Sequence, residues 1–292
     1  MNFEFDDDQR MLRDQARRFL LDKSPPEVVR QTLEDEQPFD RDLWQQFGDM
    51  GWIGAAIPEE YGGGGLDLTG ASVILEEIAA SGGNPSACHA QMYVMGTLLR
   101  HGSEEMKQHY LPAIAEGKYR LQAFGVTEPT AGSDTSSIRT KAERQGDNWV
   151  ITGQKIWTSR ALYSDLMVLL ARTSPVKEGQ RPFDGLSVFL IHLRDDQGDL
   201  VPGLTINPIP TMMNHSTTEV FFDKVTVTAA ALIGTEGQGF RHILDGMNAE
   251  RILIASECIG DGRFFIERGS AYATERHVFG RPIGQNQGVQ FP

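Results

Sequence analysis

"FGVTEPTAGSD", residues Phe124 to Asp134, is the stretch on which the fold turns. An alternating apolar run stops abruptly and gives way to Thr, Glu, Pro, Thr, a small residue, Gly, Ser and Asp. Thr, Pro, Gly and Asp are turn residues, so an elaborate strand-to-loop turn accounts for most of this composition. Backbone N–H groups and short hydroxyls gathered after a strand equally suit a pyrophosphate and the heteroatoms of a planar ring. The residues of the stretch alone allow both readings.

Around it, from about residue 121 to 235, the apolar period is two. "NWVITGQKIW", "LMVLLAR", "GLSVFLIHL" and "TEVFFDKVTV" read as strands separated by turn clusters such as "QGDN" and "NPIP". Their close succession without intervening helices predicts an antiparallel barrel or sandwich.

Before this region the period is helical. Asp6 to Asp8 can cap a first helix whose Leu12, Ala16, Phe19 and Leu20 form one face. Ala71, Ile74, Leu75 and Ile78 repeat that stripe, and Ser103 with Glu104 and Glu105 opens a further helix. "YGGGGLD" reads as a loop, because no Gly-Lys-Ser/Thr follows the glycines to make a phosphate cradle. Helical periodicity returns at Gly237 and runs to about Thr274. The sequence then stops at "GQNQGVQFP", where a lone helix cannot bury its apolar face, so the chain reads as truncated or dependent on neighbours.

Bulk properties narrow the function. At 292 residues, two or three domains with sizeable cores are expected. Acidic residues outnumber basic ones by 40 to 27, for a net charge of -13, which argues against nucleic acid as a ligand. Cys88 and Cys258 are too few for a disulfide framework and have no metal-ligand spacing, so no metal site is expected. With an acidic N-terminus and no apolar run near the roughly 20 residues of a membrane span, a cytoplasmic protein is predicted.

"GVTEPTAGSDTSS", Gly125 to Ser137, resembles the first signature of the acyl-CoA dehydrogenase family. The downstream "GQKIWTS" and the helical, β, helical order are similar too. The resemblance implies an α+β multidomain chain. It has an N-terminal all-α domain (1–120), a middle antiparallel β-barrel (121–235) and the start of a C-terminal helical bundle (236–292). It implies FAD as cofactor, an acyl-CoA substrate, electron-transfer flavoprotein as partner and a homotetramer. Phe124, Val126 and Thr127 would line the flavin, and Gly132 and Ser133 would meet the pyrophosphate or the acyl-CoA. Trp157 would lie against the isoalloxazine ring, with Thr158 beside it and Ser159 near the N5 edge. By pattern alone, a strand Trp such as Trp157 is more often core.

Oxidising an acyl thioester between its α and β carbons needs a base in a dry pocket. In "GFRHILDGMNAERILIASECIG", Ile243, Met247, Glu250 and Ile254 fall at steps of four, three and four, which puts Glu250 on an apolar stripe. A carboxylate there is a functional candidate. Pairing with Arg251 at the surface is the structural alternative. "NAER" resembles the isovaleryl-CoA and long-chain members, which implies Glu250 as base with Met247, Asn248 and Arg251 beside the substrate. "TERHVFGRPIGQNQ" resembles the segment that contacts FAD bound by an adjacent subunit, through Arg276, Phe279 and Gln287, and so implies at least a dimer.

Two departures bear on the substrate. Many relatives carry Arg-x-Ser-x-Thr before the strand "EVFFDKV", whereas Met213 and His215 stand at its Arg and Ser positions here. His215 has no second ligand at a metal-binding spacing and is expected to be structural or to face CoA. Flavin-dependent oxygen-using enzymes of the same fold, and a non-catalytic CoA-binding homologue, are the alternative functions.

Overall fold

The computed structural model describes residues 4–34, 41–212 and 216–291, so Met213 and His215 lie outside the described residues. The chain divides into two compact units. One gathers Met1–Gln37, Ser72–Pro85 and Leu253–Pro292; the other gathers Pro38–Ala71 and Ser86–Ile252.

The helices form where period and caps predict them. α1 (Asp7–Lys23) is closed by a capping box in which Asp6 accepts from the Gln9 N–H, and it buries Ala16 and Leu20. α2 (Pro26–Glu34), α3 (Arg41–Asp49), α4 (Leu68–Ala80), α5 (Ser86–His101) and α6 (Glu104–Ala115) follow. Ser103 caps α6 through the Met106 N–H. Ala71, Ile74, Leu75 and Ile78 are all buried. The glycine run is a tight loop: a Cβ on Gly63 would lie 2.2 Å from the Ile57 carbonyl oxygen.

In the first unit Glu77, buried on α4, receives Arg17 of α1 through two hydrogen bonds of 2.9 and 3.0 Å. It also receives Arg263 at 3.0 Å, from α7 (Gly239–Glu275). A side chain on Gly260 would strike the Glu76 carbonyl at 2.2 Å, so α4 and α7 touch backbone to backbone there. The unit ends in a two-strand hairpin, His277–Val278 against Arg281–Pro282, and a short helix, Gln287–Gln290.

The second unit is built on an eight-stranded sheet: β1 (Leu121–Gly125), β2 (Lys141–Gln145), β3 (Asn148–Ser159), β4 (Leu166–Arg172), β5 (Leu186–His192), β6 (Leu204–Pro208), β7 (Thr217–Thr228) and β8 (Leu232–Ile233). Its order is β6-β7-β3-β2-β4-β5-β8, with β1 added on β4. Two features correct the expectation from sequence. The order is open, with no β6 to β8 pair among the described residues, and β4 pairs in parallel with both β1 and β2. A period of two reports alternation of faces and carries no information on strand direction.

β4 is buried on both faces, as its unbroken apolar run requires. Leu166, Val168 and Leu170 join Val94, Met95 and Leu98 of α5, Leu111 and Ile114 of α6, and Ile243 of α7. Met167, Leu169 and Ala171 face Trp149, Ile151, Val220 and Phe222 of β3 and β7.

Candidate active site

The loop after β1 is held from within. Gly125 packs on β4 where a Cβ would meet Leu169 and Met167 at 3.0 Å. Glu128 pairs with Ala131 through both backbone N–H groups, at 3.0 and 3.1 Å. Its buried carboxylate accepts from the N–H groups of Arg139 (2.7 Å) and Thr140 (2.9 Å) and from the ammonium of Lys155 (2.8 Å). Lys155 also donates to the Val126 carbonyl at 3.0 Å. Burial pushes Lys155 down to about 8, with Glu128 pulling the other way. Burial opposes ionisation of Glu128, yet Lys155 and the donors around it hold its carboxyl below the usual range. Asp134 accepts from the Ser136 and Ser137 hydroxyls and closes the turn. Much of the polar chemistry in "TEPTAGSD" is therefore internal scaffolding. Sequence reasoning passed over the Glu128–Lys155 pair. The signal was there, because Trp149, Ile151, Gly153 and Lys155 share the period-two face of β3.

Beyond Lys155 that period slips. The β3–β7 register shifts between Lys155 and Thr158, and Trp157 takes a left-handed φ of 60°. A bulge moves the following side chains to the opposite face. Trp157 consequently stands 58% exposed, and the core placement usual for a strand Trp is wrong here. Thr158 turns inward, where its Oγ1 has no hydrogen-bond partner among the described residues, and Ser159 turns out. The Ile156 N–H donates to the Thr127 carbonyl at 2.9 Å, so the bulge and the loop after β1 lie side by side. Phe124, Val126 and Thr127 are half-buried, while Gly132 and Ser133 are exposed. An outward indole, an orphaned buried hydroxyl and an adjacent Gly-Ser turn fit a planar group rich in heteroatoms.

A second element meets β1 from the helical side. A Cβ on Gly246 of α7 would lie 2.8 Å from the Tyr93 carbonyl of α5, so these helices cross in backbone contact. One turn on, Glu250 is half-buried and makes no ion pair among the described residues. Arg251 is exposed and donates to Asn248 at 2.6 Å, which disposes of a Glu250–Arg251 surface pair. Tyr93 meets the ring of Phe124 edge-on at 5.8 Å. Its phenol is pushed up by burial first and by the charge of Glu250 second. Met247, Tyr93, Phe124 and Val126 pack against one core cluster. The structure thus brings Glu250 and Met247 to the Phe124 side of the loop. The apolar stripe drawn from sequence ends early, for Ile254 is exposed.

Arg276, Phe279 and Gln287 belong to the first unit and are exposed. Phe279 and Gly280 form the two-residue turn of the hairpin, both at positive φ (54° and 76°), and the Phe279 ring stands fully in solvent. Among the described residues there is no group of His, Cys, Asp or Glu side chains suited to a metal, and no helix long and apolar enough to cross a membrane.

Comparison with known proteins agrees with this geometry. The acyl-CoA dehydrogenase N-terminal, middle and C-terminal domain profiles match residues 6–118, 123–225 and 237–292. The chain is 35% identical over 298 residues to the probable acyl-CoA dehydrogenase YngJ of Bacillus subtilis, covering all of this chain and 75% of that one. It is 34% identical over 255 residues to acyl-CoA dehydrogenase fadE12 of Mycobacterium bovis, covering 86% of this chain and spanning 63% of that relative's length. The solved glutaryl-coenzyme A dehydrogenase in complex with glutaryl-CoA superposes with a TM-score of 0.87 at 32% identity, over 100% of this chain and 72% of that one. Helical and β elements in the family's order, the loop after β1 and the matches along nearly the whole sequence place this chain in the acyl-CoA dehydrogenase family.

Proposed function

We propose that this chain carries the flavin and acyl sites of an FAD-dependent acyl-CoA dehydrogenase, in three domains spanning 1–120, 121–235 and 236–292. The reaction is removal of hydrogen from the α and β carbons of an acyl-CoA thioester to give a trans-2-enoyl-CoA. One observation carries this reading: Glu250 lies near enough to Tyr93 for its charge to act on that phenol, Tyr93 in turn meets Phe124, and Glu250 has no cationic partner among the described residues. A carboxylate so placed is free to act as a base.

FAD, when bound, supplies the acceptor for the β hydride. Phe124, Val126, Thr127 and Trp157 form its walls, and Thr158 and Ser159 offer hydroxyls to its ring edge. Gly132 and Ser133 meet the pyrophosphate or the acyl-CoA. Glu250 takes the α proton onto a carboxylate oxygen, while Met247, Asn248 and Arg251 border the thioester.

Arg276, Phe279 and Gln287, outward on their hairpin and short helix, reach the FAD of an adjacent subunit, so the active form is at least a dimer and by family habit a homotetramer. Electrons leave to an electron-transfer flavoprotein in the cytoplasm. The test is the visible spectrum of the purified protein, recorded anaerobically with a panel of acyl-CoA thioesters. Bleaching of a flavin band by one of them is expected. A yellow protein that none of them bleaches overturns the dehydrogenase reading, and a colourless one overturns flavin binding.

A further inference from the structure

α5 and α7 cross on a pair of glycines. A Cβ on Gly246 would lie 2.8 Å from the Tyr93 carbonyl and 3.0 Å from Thr97 Oγ1, and one on Gly96 would lie 3.5 Å from the Gly246 Cα. Glu250 stands one turn beyond this crossing along α7, and His242 stands one turn before it. His242, Gly246 and Glu250 follow one another at steps of four, so they share a helix face. The imidazole and the proposed base are thus about 12 Å apart along the helix, one on each side of a fulcrum.

On the His242 side the two helices are fastened by a polar cluster for which the proposed chemistry has no use. His101, the last residue of α5, donates from Nε2 to Asp245 Oδ2 at 2.6 Å, and Arg100 donates to the other carboxylate oxygen at 3.3 Å. The rings of His101 and His242 stack with centroids 4.2 Å apart and planes inclined by 27°. From the other side the turn after β8 closes in, where a Cβ on Gly234 would lie 2.5 Å from His242 Cε1. His242 is 8% exposed, and its Nδ1 has no hydrogen-bond partner among the described residues.

Proton uptake works against this arrangement. Burial first and the His101 ring second push His242 below its ordinary value of 6.5. Arg241 adds to that push, whereas the Ile233 backbone and Asp245 pull the other way. A cation on His242 would lie in a nearly dry site against His101, with Asp245 already bound to Arg100 and His101. Opening the cluster to water removes that penalty. The closed form is therefore favoured above pH 6.5 and loses ground as pH falls below it toward the folded value.

Resting on the reading of Glu250 as base, we infer that His101, His242 and Asp245 form a latch that positions Glu250 by fixing α7 against α5 across the Gly246 crossing, and that acid releases it. None of the three touches a reacting atom. They act through the helix that carries the base, because a rigid helix pivoting on the glycine contact turns loosening at His242 into displacement at Glu250.

The first measurement is hydrogen exchange of the full chain at pH 7 and pH 5, with rates corrected for the intrinsic effect of pH. Amides in the last two turns of α5 and the second and third turns of α7 are expected to open up to about 10-fold more for each pH unit below 6.5, the yield of one linked proton. Amides of β4 should not follow, which separates release of the latch from general acid unfolding. His242→Gln, which cannot take up the proton, should abolish the dependence, and Asp245→Asn should raise opening already at pH 7. The second measurement is the pH profile of anaerobic flavin bleaching by the thioester that bleaches fastest. The parent's rate should fall below pH 6.5 more steeply than that of His242→Gln. Exchange in the parent that does not change between the two pH values, or that changes equally in β4, overturns the latch even if neither variant folds. A latch that opens while parent and His242→Gln share one bleaching profile overturns the positioning role. Failure of every thioester to bleach a yellow protein overturns the dehydrogenase reading instead, and the exchange data still decide whether the latch exists.

Discussion

Lys155 and Glu128 meet at 2.8 Å in the interior, and their pair joins β3 to the loop that follows β1. Both side chains are almost wholly removed from water, so each depends on the other for its charge. Breaking such a pair by removing one partner costs about 3–5 kcal/mol, because an uncompensated charge stays behind. Lys155→Met is therefore expected to lower stability by that order in urea unfolding. Lys155→Met with Glu128→Gln should recover part of the loss, giving a clear coupling energy in the double-mutant cycle.

Glu128 also sets a pH dependence. Its carboxyl lies below the ordinary value of 4.5 in the folded protein, so the unfolded chain binds more protons in the window beneath that value. Stability from this group is thus complete above the ordinary carboxylate range and is lost as pH falls through the folded value. Unfolding midpoints compared between pH 7 and pH 4 should fall, and the fall should be smaller in Glu128→Gln.

Glu250 predicts the opposite balance of effects. With no ion pair to lose among the described residues, Glu250→Gln should change stability by less than about 1 kcal/mol. As the proposed base it should slow anaerobic flavin bleaching by about 10²- to 10⁴-fold. Rapid bleaching by the variant would remove Glu250 from the chemistry.

Trp157 separates folding from binding in another way. Its indole is more exposed than buried and its backbone is left-handed, a conformation that Asn accepts more readily. In Trp157→Asn, relief of the backbone offsets lost apolar contact, so flavin-free stability should stay within about 1 kcal/mol of the parent. Flavin content after purification, read from the visible to ultraviolet absorbance ratio, should fall sharply.

Gly246→Ala tests the helix crossing. The added methyl would sit 2.8 Å from the Tyr93 carbonyl and 3.0 Å from Thr97 Oγ1, so α5 and α7 must separate. Overpacking of this kind costs about 1–3 kcal/mol, and the shift should also slow bleaching, since Glu250 lies one turn further along α7.

Sequence showed most of the architecture and part of the site, for reasons visible in particular residues. Leu166 to Arg172 could be recognised as a strand because apolar runs of that length pack on both faces. Its parallel partners could not, since direction leaves no trace in a single strand. Glu250 could be singled out as a candidate because a carboxylate interrupts an apolar stripe. Trp157 was misjudged by pattern because a bulge moves a side chain to the other face without changing the residues around it.

Glu77 has a consequence for the order of assembly. It collects Arg17 and Arg263, so one small unit is tied from segments that leave the ribosome at very different times. When α1 emerges it has no arginine-matched anchor until Glu77 follows, and the anchor itself is half-filled until residue 263 is made. Loop closure over such separations is slow relative to local helix formation, and an apolar helix face waiting for its partner is open to aggregation. Synthesis of this chain should therefore call on chaperones mainly for its first helix, and a circular permutant that brings residue 263 close to Arg17 in sequence should refold faster.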